Sequence, residues 1–240
     1  MYCSSCGKRQ DAAFSVVYNE EFISKKLYSI LAFYVLQLII CLISGIGTYF
    51  DTYPNHTILD ISFVVITLVF FGLNFKAILP LLKFKRVKLK LLLAFILIAI
   101  LSSVAISYVV DLLNRFLFNQ EYTYTYAFSN VDNKLFWMII SIGLMPAIAE
   151  ELAFRGVFYN QLKTFLKPAQ LVWVTSILFT TIHLSALSAL WILPLALILA
   201  QLRRKYLTLW YGMAIHFAFN TTAVIIDYLQ YNTPAEGISF

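Results

Sequence analysis

Three short polar strings interrupt the apolar sequence of this chain, and their residue types can perform acid–base chemistry. In one-letter code they are EELAFR (150–155), FTTIH (179–183) and HFAFN (216–220). Ionisable and amide side chains are costly within the hydrocarbon of a membrane, so each is a candidate functional residue. Carboxylates and imidazoles exchange protons, and imidazole and amide N–H groups donate hydrogen bonds to developing negative charge. Together the strings predict a catalytic centre at membrane depth.

The composition predicts that the rest of the chain is membrane-embedded. Of 240 residues, 61% are hydrophobic and 12% are charged, and the mean hydropathy is +0.80. A soluble domain carries about 25% charged residues. We therefore expect an all-α polytopic membrane protein without a separate soluble domain. The net charge of +6 is explained by membrane topology and does not require a nucleic-acid partner.

Seven apolar runs are candidates for transmembrane helices. They lie at about 27–48, 57–75, 91–113, 136–160, 169–188, 189–202 and 207–228. With the N-terminus in the cytosol, nearly all Lys and Arg residues fall on the cytosolic side, and only Arg115 and Lys134 fall outside. This asymmetry follows the positive-inside rule. It predicts a bundle of about seven transmembrane helices with the active site inside the membrane, a cytosolic N-terminus and an external C-terminus.

Hydropathy divides the chain into three parts. Residues 1–22 are predicted to form a short cytosolic segment, 23–230 the transmembrane domain with its motif-bearing core at 134–228, and 231–240 a tail. The first part is too polar for a cleaved signal peptide.

A cysteine pair in the N-terminal segment, Cys3 and Cys6, resembles the first knuckle of a zinc ribbon. A structural zinc site requires four ligands, and the second knuckle is absent. The pair would bind zinc only if two chains shared the ion, and the simpler interpretation is that it binds nothing.

The spacing in the first string gives its charged side chains different directions. Glu151 and Arg155 are four residues apart and share one helical face, whereas Glu150 projects about 100° away. Arg155 then compensates the charge of one carboxylate, while the other carboxylate faces a different partner.

Distances along the predicted helices place the three strings at a similar depth. Counted at about 1.5 Å per residue from a cytosolic marker, the distance is about 20 Å for Glu150, about 22 Å for His183 and about 16 Å for His216. The markers are Lys163, Pro168 and Lys205. The three side chains are therefore predicted to converge within the helix bundle.

His216 and Asn220 are also four residues apart and are neighbours on one helical face. Both can donate hydrogen bonds, and two donors aimed at one point suit a developing oxyanion. Four further polar residues are interpreted as solvated helix ends or as packing: Asp60, Asp111, Asp227 and Cys41.

The three strings resemble the motifs of the CPBP family, which groups CAAX proteases with bacteriocin-processing enzymes and is also called the Abi family. Its pattern is EExxxR, then FxxxH, then HxxxN or HxxxD, and all three occur here in order. Other membrane protease sites are excluded, because the chain has no HExxH zinc motif, no GxSG string and no GxGD string.

The resemblance implies an intramembrane endopeptidase that hydrolyses peptide bonds of membrane-anchored or lipid-adjacent substrates. Prenylated CAAX proteins, bacteriocin or leader peptides and self-immunity are all within the implied range. By position in the motifs, Glu151 and Arg155 would orient the site.

Two chemical schemes fit the catalytic residues that the resemblance implies. In the first, Glu150 and His183 activate water without a metal, and His216 and Asn220 stabilise the oxyanion. In the second, Glu150, His183 and His216 bind Zn²⁺ with an open position for water. Asn220 is a poor zinc ligand, which favours the first scheme, but both remain open at this point.

Two functions without proteolysis are alternatives. One is a membrane scaffold or an immunity or signalling partner, and the complete set of catalytic residues argues against it. The other is a transporter or proton path through Glu150 and His183. The sequence shows neither an inverted repeat nor paired broken helices, which are typical of transporters.

The predicted topology can be tested with reporter fusions. A reporter fused after Phe240 is expected outside and one inserted near Lys88 inside, because the Lys and Arg asymmetry orients the chain. Alkaline phosphatase and a fluorescent protein distinguish the two locations. If both fusion points lie on the same side, the seven-span model is wrong.

Overall fold

The computed structural model describes residues 20–46, 55–118 and 123–232, and within these ranges every regular element is a helix. The long helices are α1 (Glu20–Ile46), α2 (Asn55–Leu73), α3 (Leu89–Phe118), α4 (Lys134–Leu162), α5 (Pro168–Thr181), α6 (Ala189–Tyr206) and α7 (Trp210–Asn232). Short helical segments lie at Phe75–Ile78, Leu79–Leu82, Phe84–Arg86 and Tyr124–Ala127.

Several of these helices are long and apolar enough to cross a membrane. In the described ranges α1, α3 and α4 meet this condition, and α2 adds a fourth if it is taken together with the segment Phe75–Leu82, which is bent by 88° from it. The chain is therefore a polytopic helical membrane protein. The seven-span bundle remains a prediction, because α5 has only 14 residues and spans about 21 Å, and α6 carries three basic residues in its last turn.

One predicted transmembrane run is longer than the helix that the structure shows. The run 169–188 was expected to be continuous, but α5 ends at Thr181 and His183 lies in the turn that follows. Leu184 has a φ of 52°, and this left-handed conformation is incompatible with a continuing helix. Within the described residues, most of each of the other six runs falls on one long helix.

A stack of aromatic rings joins α1, α2 and α4. The Phe33 ring is 4.6 Å from that of Phe70 and 4.8 Å from that of Phe158, and Phe154 continues the stack at 5.2 Å from Phe158. Phe33, Phe154 and Phe158 are fully buried. The stack combines a large buried apolar area with favourable ring geometry, so it fixes α1 against the helix that carries the first string.

The turn between α6 and α7 is buried at Thr208 and Leu209. The Leu209 N–H and the Thr208 hydroxyl donate to the Leu81 carbonyl at 3.1 and 3.0 Å, and Thr208 and Leu209 are buried. The predicted depth of His216 was wrong, because it counted through this turn as if it were helix. His216 lies only about 9 Å from the start of α7 at Trp210.

Some predictions fall outside the described residues. These are the Cys3 and Cys6 pair, most of the N-terminal segment 1–22 and most of the tail 231–240.

The aromatic stack predicts that Phe33→Ala destabilises the fold strongly. Truncating a buried Phe typically costs about 3–5 kcal/mol, so the thermal unfolding midpoint in detergent should fall clearly. Phe116→Ala is the matched control, because that ring is 83% exposed, and its midpoint should stay near that of the wild type. Equal effects of the two variants would contradict the proposed importance of the stack.

Candidate active site

Helix α4 is irregular on both sides of Glu150. Two π-helical segments, Ile139–Leu144 and Glu151–Phe158, flank the α-helical segment Met145–Glu150. π segments are rare and are frequently found at functional sites. The second π segment begins at Glu151, so the two adjacent glutamates belong to different types of helix.

Asn220 of α7 donates a hydrogen bond to the first π-helical segment, Ile139–Leu144. In a regular α-helix the Ile142 carbonyl would accept the N–H of residue 146, but that residue is Pro146, which has no N–H. The Asn220 Nδ2 donates to the Ile142 carbonyl at 2.9 Å. One amide hydrogen of Asn220 is thus committed to positioning α4, and its second hydrogen remains for another acceptor.

Arg203 of α6 donates a hydrogen bond to the second π-helical segment, Glu151–Phe158. The Tyr159 N–H donates to the Gly156 and Phe154 carbonyls and not to the Arg155 carbonyl, which it would reach in a regular α-helix. The Arg203 Nε donates to this carbonyl at 3.1 Å, and the guanidinium lies 5.0 Å from the centre of the Tyr159 ring. The sequence could not distinguish Arg203 from its neighbours Arg204 and Lys205, although only Arg203 of the three is buried.

The predicted pairing of Glu151 with Arg155 is confirmed. The Arg155 Nη1 lies 2.8 Å from the Glu151 Oε1, and the two side chains are 0% and 1% exposed. Arg155 Nη2 also donates to the Ala196 carbonyl at 3.1 Å, and the guanidinium stacks 4.4 Å from the centre of the Phe179 ring. The first string is thereby connected to α5 and α6.

Gly212 of α7 makes room for this pair. A Cβ atom at position 212 would overlap the Glu151 carboxylate. Any larger residue would therefore displace Glu151 from Arg155. The sequence does not reveal this role of Gly212, since a glycine in a helix gives no signal of which side chain approaches it.

His216 lies between the two carboxylates. Its Nε2 is 3.8 Å from the Glu150 Oε2, and its Nδ1 is 3.7 Å from the Glu151 Oε1. Both distances exceed that of a direct hydrogen bond. The side chain of Glu150 is 17% exposed and that of Glu151 only 1%, so Glu150 is the more accessible carboxylate.

His183 is held in one tautomer. Its Nδ1 lies 3.0 Å from the Phe179 carbonyl, and a carbonyl only accepts, so Nδ1 carries the hydrogen and donates it. The Nε2 atom is therefore left with a free lone pair. The Phe179 ring also contacts the His183 and His216 rings, with centroids 4.9 and 6.0 Å away. Phe179 is thus a positioning residue for both histidines, a role that the sequence analysis did not assign.

Two cavities meet at Glu150 and His183. The first, of about 290 Å³, lies between α1, α2 and α4, and its lining includes Cys41 and Asp60. The second, of about 330 Å³, lies between α3, α4, α6 and α7. Its lining includes the remaining catalytic candidates and polar residues toward one end of the bundle: His216, Asn220, Asp111, Asn114, Asp227 and Gln230. Glu150, His183 and Pro146 line both cavities.

Asp227 holds a loop beside the second cavity. Its carboxylate accepts hydrogen bonds from the Thr123 and Thr125 hydroxyls and from the Tyr124 and Thr125 N–H groups, at 2.7–3.1 Å. Asp227 was interpreted as a solvated helix end, but it fixes the segment that carries Tyr124, which lines the cavity.

The residues do not fit a metal site. Among those that the structure describes, no group of three His, Cys, Asp or Glu side chains is placed so that it could hold a metal ion. His216 instead directs one nitrogen to each carboxylate, so the zinc ligand set proposed from sequence, with Glu150 and His183, does not converge.

Comparison with protein families identifies the segment that contains these residues. Residues 132–222 match the family model described as type II CAAX prenyl endopeptidase Rce1-like. The match runs from just before α4 into α7 and includes all three strings, which confirms the family predicted from them. The chain matches no curated protein and no solved structure.

The buried ion pair of Glu151 and Arg155 predicts that a single substitution lowers stability more than the double substitution does. Arg155→Ala leaves the Glu151 charge buried without compensation, and breaking such a pair costs about 3–5 kcal/mol. Thermal stability and membrane abundance should fall in Arg155→Ala and recover in part in Arg155→Ala/Glu151→Ala. If the double variant is no more stable than the single one, the charge pair is not what holds this site together.

Proposed function

Residues 132–222 belong to the Rce1-like family of type II CAAX prenyl endopeptidases, a family of membrane proteases, and on that premise we propose a role for each side chain of the site. The chain is proposed to be an intramembrane endopeptidase in which Glu150 is the general base. The observation that carries this proposal is the contrast between the two carboxylates: Glu150 lines both cavities, and Glu151 is buried beside Arg155.

Attack on the scissile bond begins with proton transfer to Glu150. A water molecule beside the carboxylate gives up a proton to it, and the water oxygen adds to the substrate carbonyl carbon. The free Nε2 lone pair of His183 accepts the second hydrogen of the water and thereby orients it. The tetrahedral intermediate then collapses, and the protonated Glu150 passes its proton to the leaving amine.

The negative charge of the intermediate is stabilised from α7. His216 directs Nε2 toward Glu150, so an N–H on that atom points to the side where the oxyanion forms. Asn220 contributes the amide hydrogen that is not bound to the Ile142 carbonyl. Each donor of this kind is worth roughly 10²–10³-fold in rate.

The substrate is proposed to be a membrane-anchored or lipid-adjacent polypeptide. An extended chain that crosses from one cavity to the other would place a peptide bond at Glu150 and His183, which line both. CAAX-type C-terminal processing and the maturation of bacteriocin or leader peptides both fit this arrangement.

The roles predict a specific pattern of variant activities. Glu150→Gln keeps the shape of the side chain and removes the base, so cleavage per molecule should fall at least roughly 10²–10⁴-fold at normal protein level. His183→Ala should behave alike, and the double variant should be little worse, because both residues act on the same water. Asn220→Ala should retain slow cleavage.

Activity is measured by comparing the termini of membrane proteins in cells that carry each variant, divided by the level of the variant in the membrane. Asp132→Asn is the matched control, because it removes an exposed carboxylate and should leave cleavage unchanged. Near-normal cleavage by Glu150→Gln would show that Glu150 is not the base. Complete loss of wild-type cleavage after removal of transition metals would contradict the metal-free scheme.

A further inference from the structure

A connection that is rich in basic residues joins α2 to α3 at one end of the helix bundle. The segment Phe75–Leu82 leaves α2 at an angle of 88°, so with α2 crossing the membrane it runs along the membrane surface. Ile78 and Leu81 are buried, whereas Phe75 and Leu79 are 44% and 41% exposed. Residues 75–90 contain six basic residues and no acidic one, and all six are exposed: Lys76, Lys83, Lys85, Arg86, Lys88 and Lys90.

Hydrogen bonds hold this connection against the turn between α6 and α7. The Trp210 indole N–H donates to the Leu82 carbonyl at 2.8 Å, and the Arg86 Nη1 donates to the Leu207 carbonyl at 2.8 Å. The Leu207 N–H in turn donates to the Arg203 carbonyl at 3.1 Å. The basic connection is therefore fixed beside the last turn of α6.

The last turn of α6 and the end of α4 add further positive charge at this place. Arg203, Arg204 and Lys205 lie in the last turn of α6, and Lys163 directly follows α4. Arg203 is 5% exposed, and its Nη1 has no hydrogen-bond partner in the protein. Burial and the nearby charge of Arg203 lower the pKa of Lys163, because like charges disfavour one another. An anion bound here would relieve this repulsion.

The surrounding helices supply no carboxylate that could balance these charges. No Asp or Glu occurs between Asp60 and Asp111, or between Glu151 and Asp227. The name basic surface is used below for the cations that these two acid-free stretches bring together: Lys83, Lys85, Arg86, Lys88, Lys163, Arg203, Arg204 and Lys205. Among the residues that the structure describes, none of these cations forms an ion pair. The complementary charge must then come from outside the chain.

Exposed apolar side chains lie beside the basic surface. Phe84, Leu89 and Leu207 are 58%, 63% and 51% exposed, and the Phe84 ring packs edge-on against the Trp210 ring with centroids 5.6 Å apart. Tryptophan is enriched at the headgroup level of membranes, and basic residues next to exposed Phe and Leu are typical of surfaces that contact anionic lipids. A free phosphate compound would match the cations but not these apolar side chains.

We propose that the basic surface binds the headgroups of anionic phospholipids. Their phosphate oxygens accept hydrogen bonds from its Lys and Arg side chains, and their acyl chains cover Phe84, Leu89 and Leu207. Basic residues also orient membrane helices, but that effect requires no fixed geometry, whereas the contacts of Arg86 and Trp210 hold this surface in one arrangement. The inference does not rest on the proposed function.

Native mass spectrometry of the full-length protein, titrated with one lipid at a time, tests the proposal. Phosphatidylglycerol is the anionic lipid, phosphatidylcholine with the same acyl chains is the zwitterionic one, and inorganic phosphate is the soluble anion. Lys83→Gln/Lys85→Gln removes two exposed charges from the basic surface, and Lys83→Arg/Lys85→Arg keeps them. Arg115→Gln/Lys134→Gln is the matched control, because it removes two positive charges from outside the basic surface.

The wild type is expected to bind phosphatidylglycerol more tightly than phosphatidylcholine. Each basic residue near an anionic lipid surface contributes roughly fivefold to binding. Lys83→Gln/Lys85→Gln should therefore bind phosphatidylglycerol roughly 25-fold more weakly, whereas the arginine variant and the control should retain wild-type affinity.

Three results would overturn the proposal. They are equal affinity of the wild type for the two lipids, unchanged affinity of Lys83→Gln/Lys85→Gln for phosphatidylglycerol, and an equal loss of affinity in Arg115→Gln/Lys134→Gln. Binding of inorganic phosphate as tight as that of phosphatidylglycerol would overturn the assignment of the basic surface to a lipid.

Discussion

The buried ion pair of Glu151 and Arg155 is the interaction on which the arrangement of the site depends. Its guanidinium holds a carbonyl of α6 and an aromatic ring of α5, and its carboxylate faces His216 of α7. Four helices are therefore positioned by one charged pair on α4. Such a pair adds little net stability relative to apolar residues, yet removing one partner is severely destabilising. Its effect here is to fix which side chains meet, since other packings would leave a buried charge without its partner.

Two glutamates that are adjacent in sequence are thereby given opposite environments. Glu151 is neutralised by Arg155 and enclosed, in part because Gly212 presents no side chain. Glu150 faces the cavities, and the Nε2 atom of His216 lies 3.8 Å from its carboxylate. The helix changes from α to π between them, and adjacent helical residues already project in directions about 100° apart. One carboxylate can then serve structure while the other is proposed to serve catalysis.

The irregular backbone of α4 is stabilised by side chains from neighbouring helices. Asn220 satisfies the carbonyl that Pro146 leaves without its donor, and Arg203 satisfies the carbonyl of Arg155. The bond to the Arg155 carbonyl is buried and the bond to the Ile142 carbonyl is partly buried, and an unsatisfied polar group away from water would cost free energy. Asn220 consequently has a positioning role in addition to the one proposed in catalysis. An alanine there is expected to affect the shape of α4 as well as the oxyanion.

The sequence by itself determined the class of fold, the family that residues 132–222 match and the catalytic candidates, because each of these depends on local information. Hydropathy over about twenty residues identifies membrane helices, and a spacing of four residues is sufficient to pair Glu151 with Arg155. The placement of His183 could not be predicted in the same way. The helix ends before it at a left-handed turn, and a continuous apolar run does not reveal such a stop.

Only the tertiary structure decided which residues support the site and how it is reached. Arg203 and Gly212 act through contacts with residues that are distant in the chain, and so does Phe179 where it meets Arg155 and His216. Nothing in their local sequence reveals these contacts. The two cavities likewise arise from the packing of seven helices, whose ends are brought together by the fold. Local rules of charge and hydropathy describe each helix separately, and the shape of the space between helices depends on all of them at once.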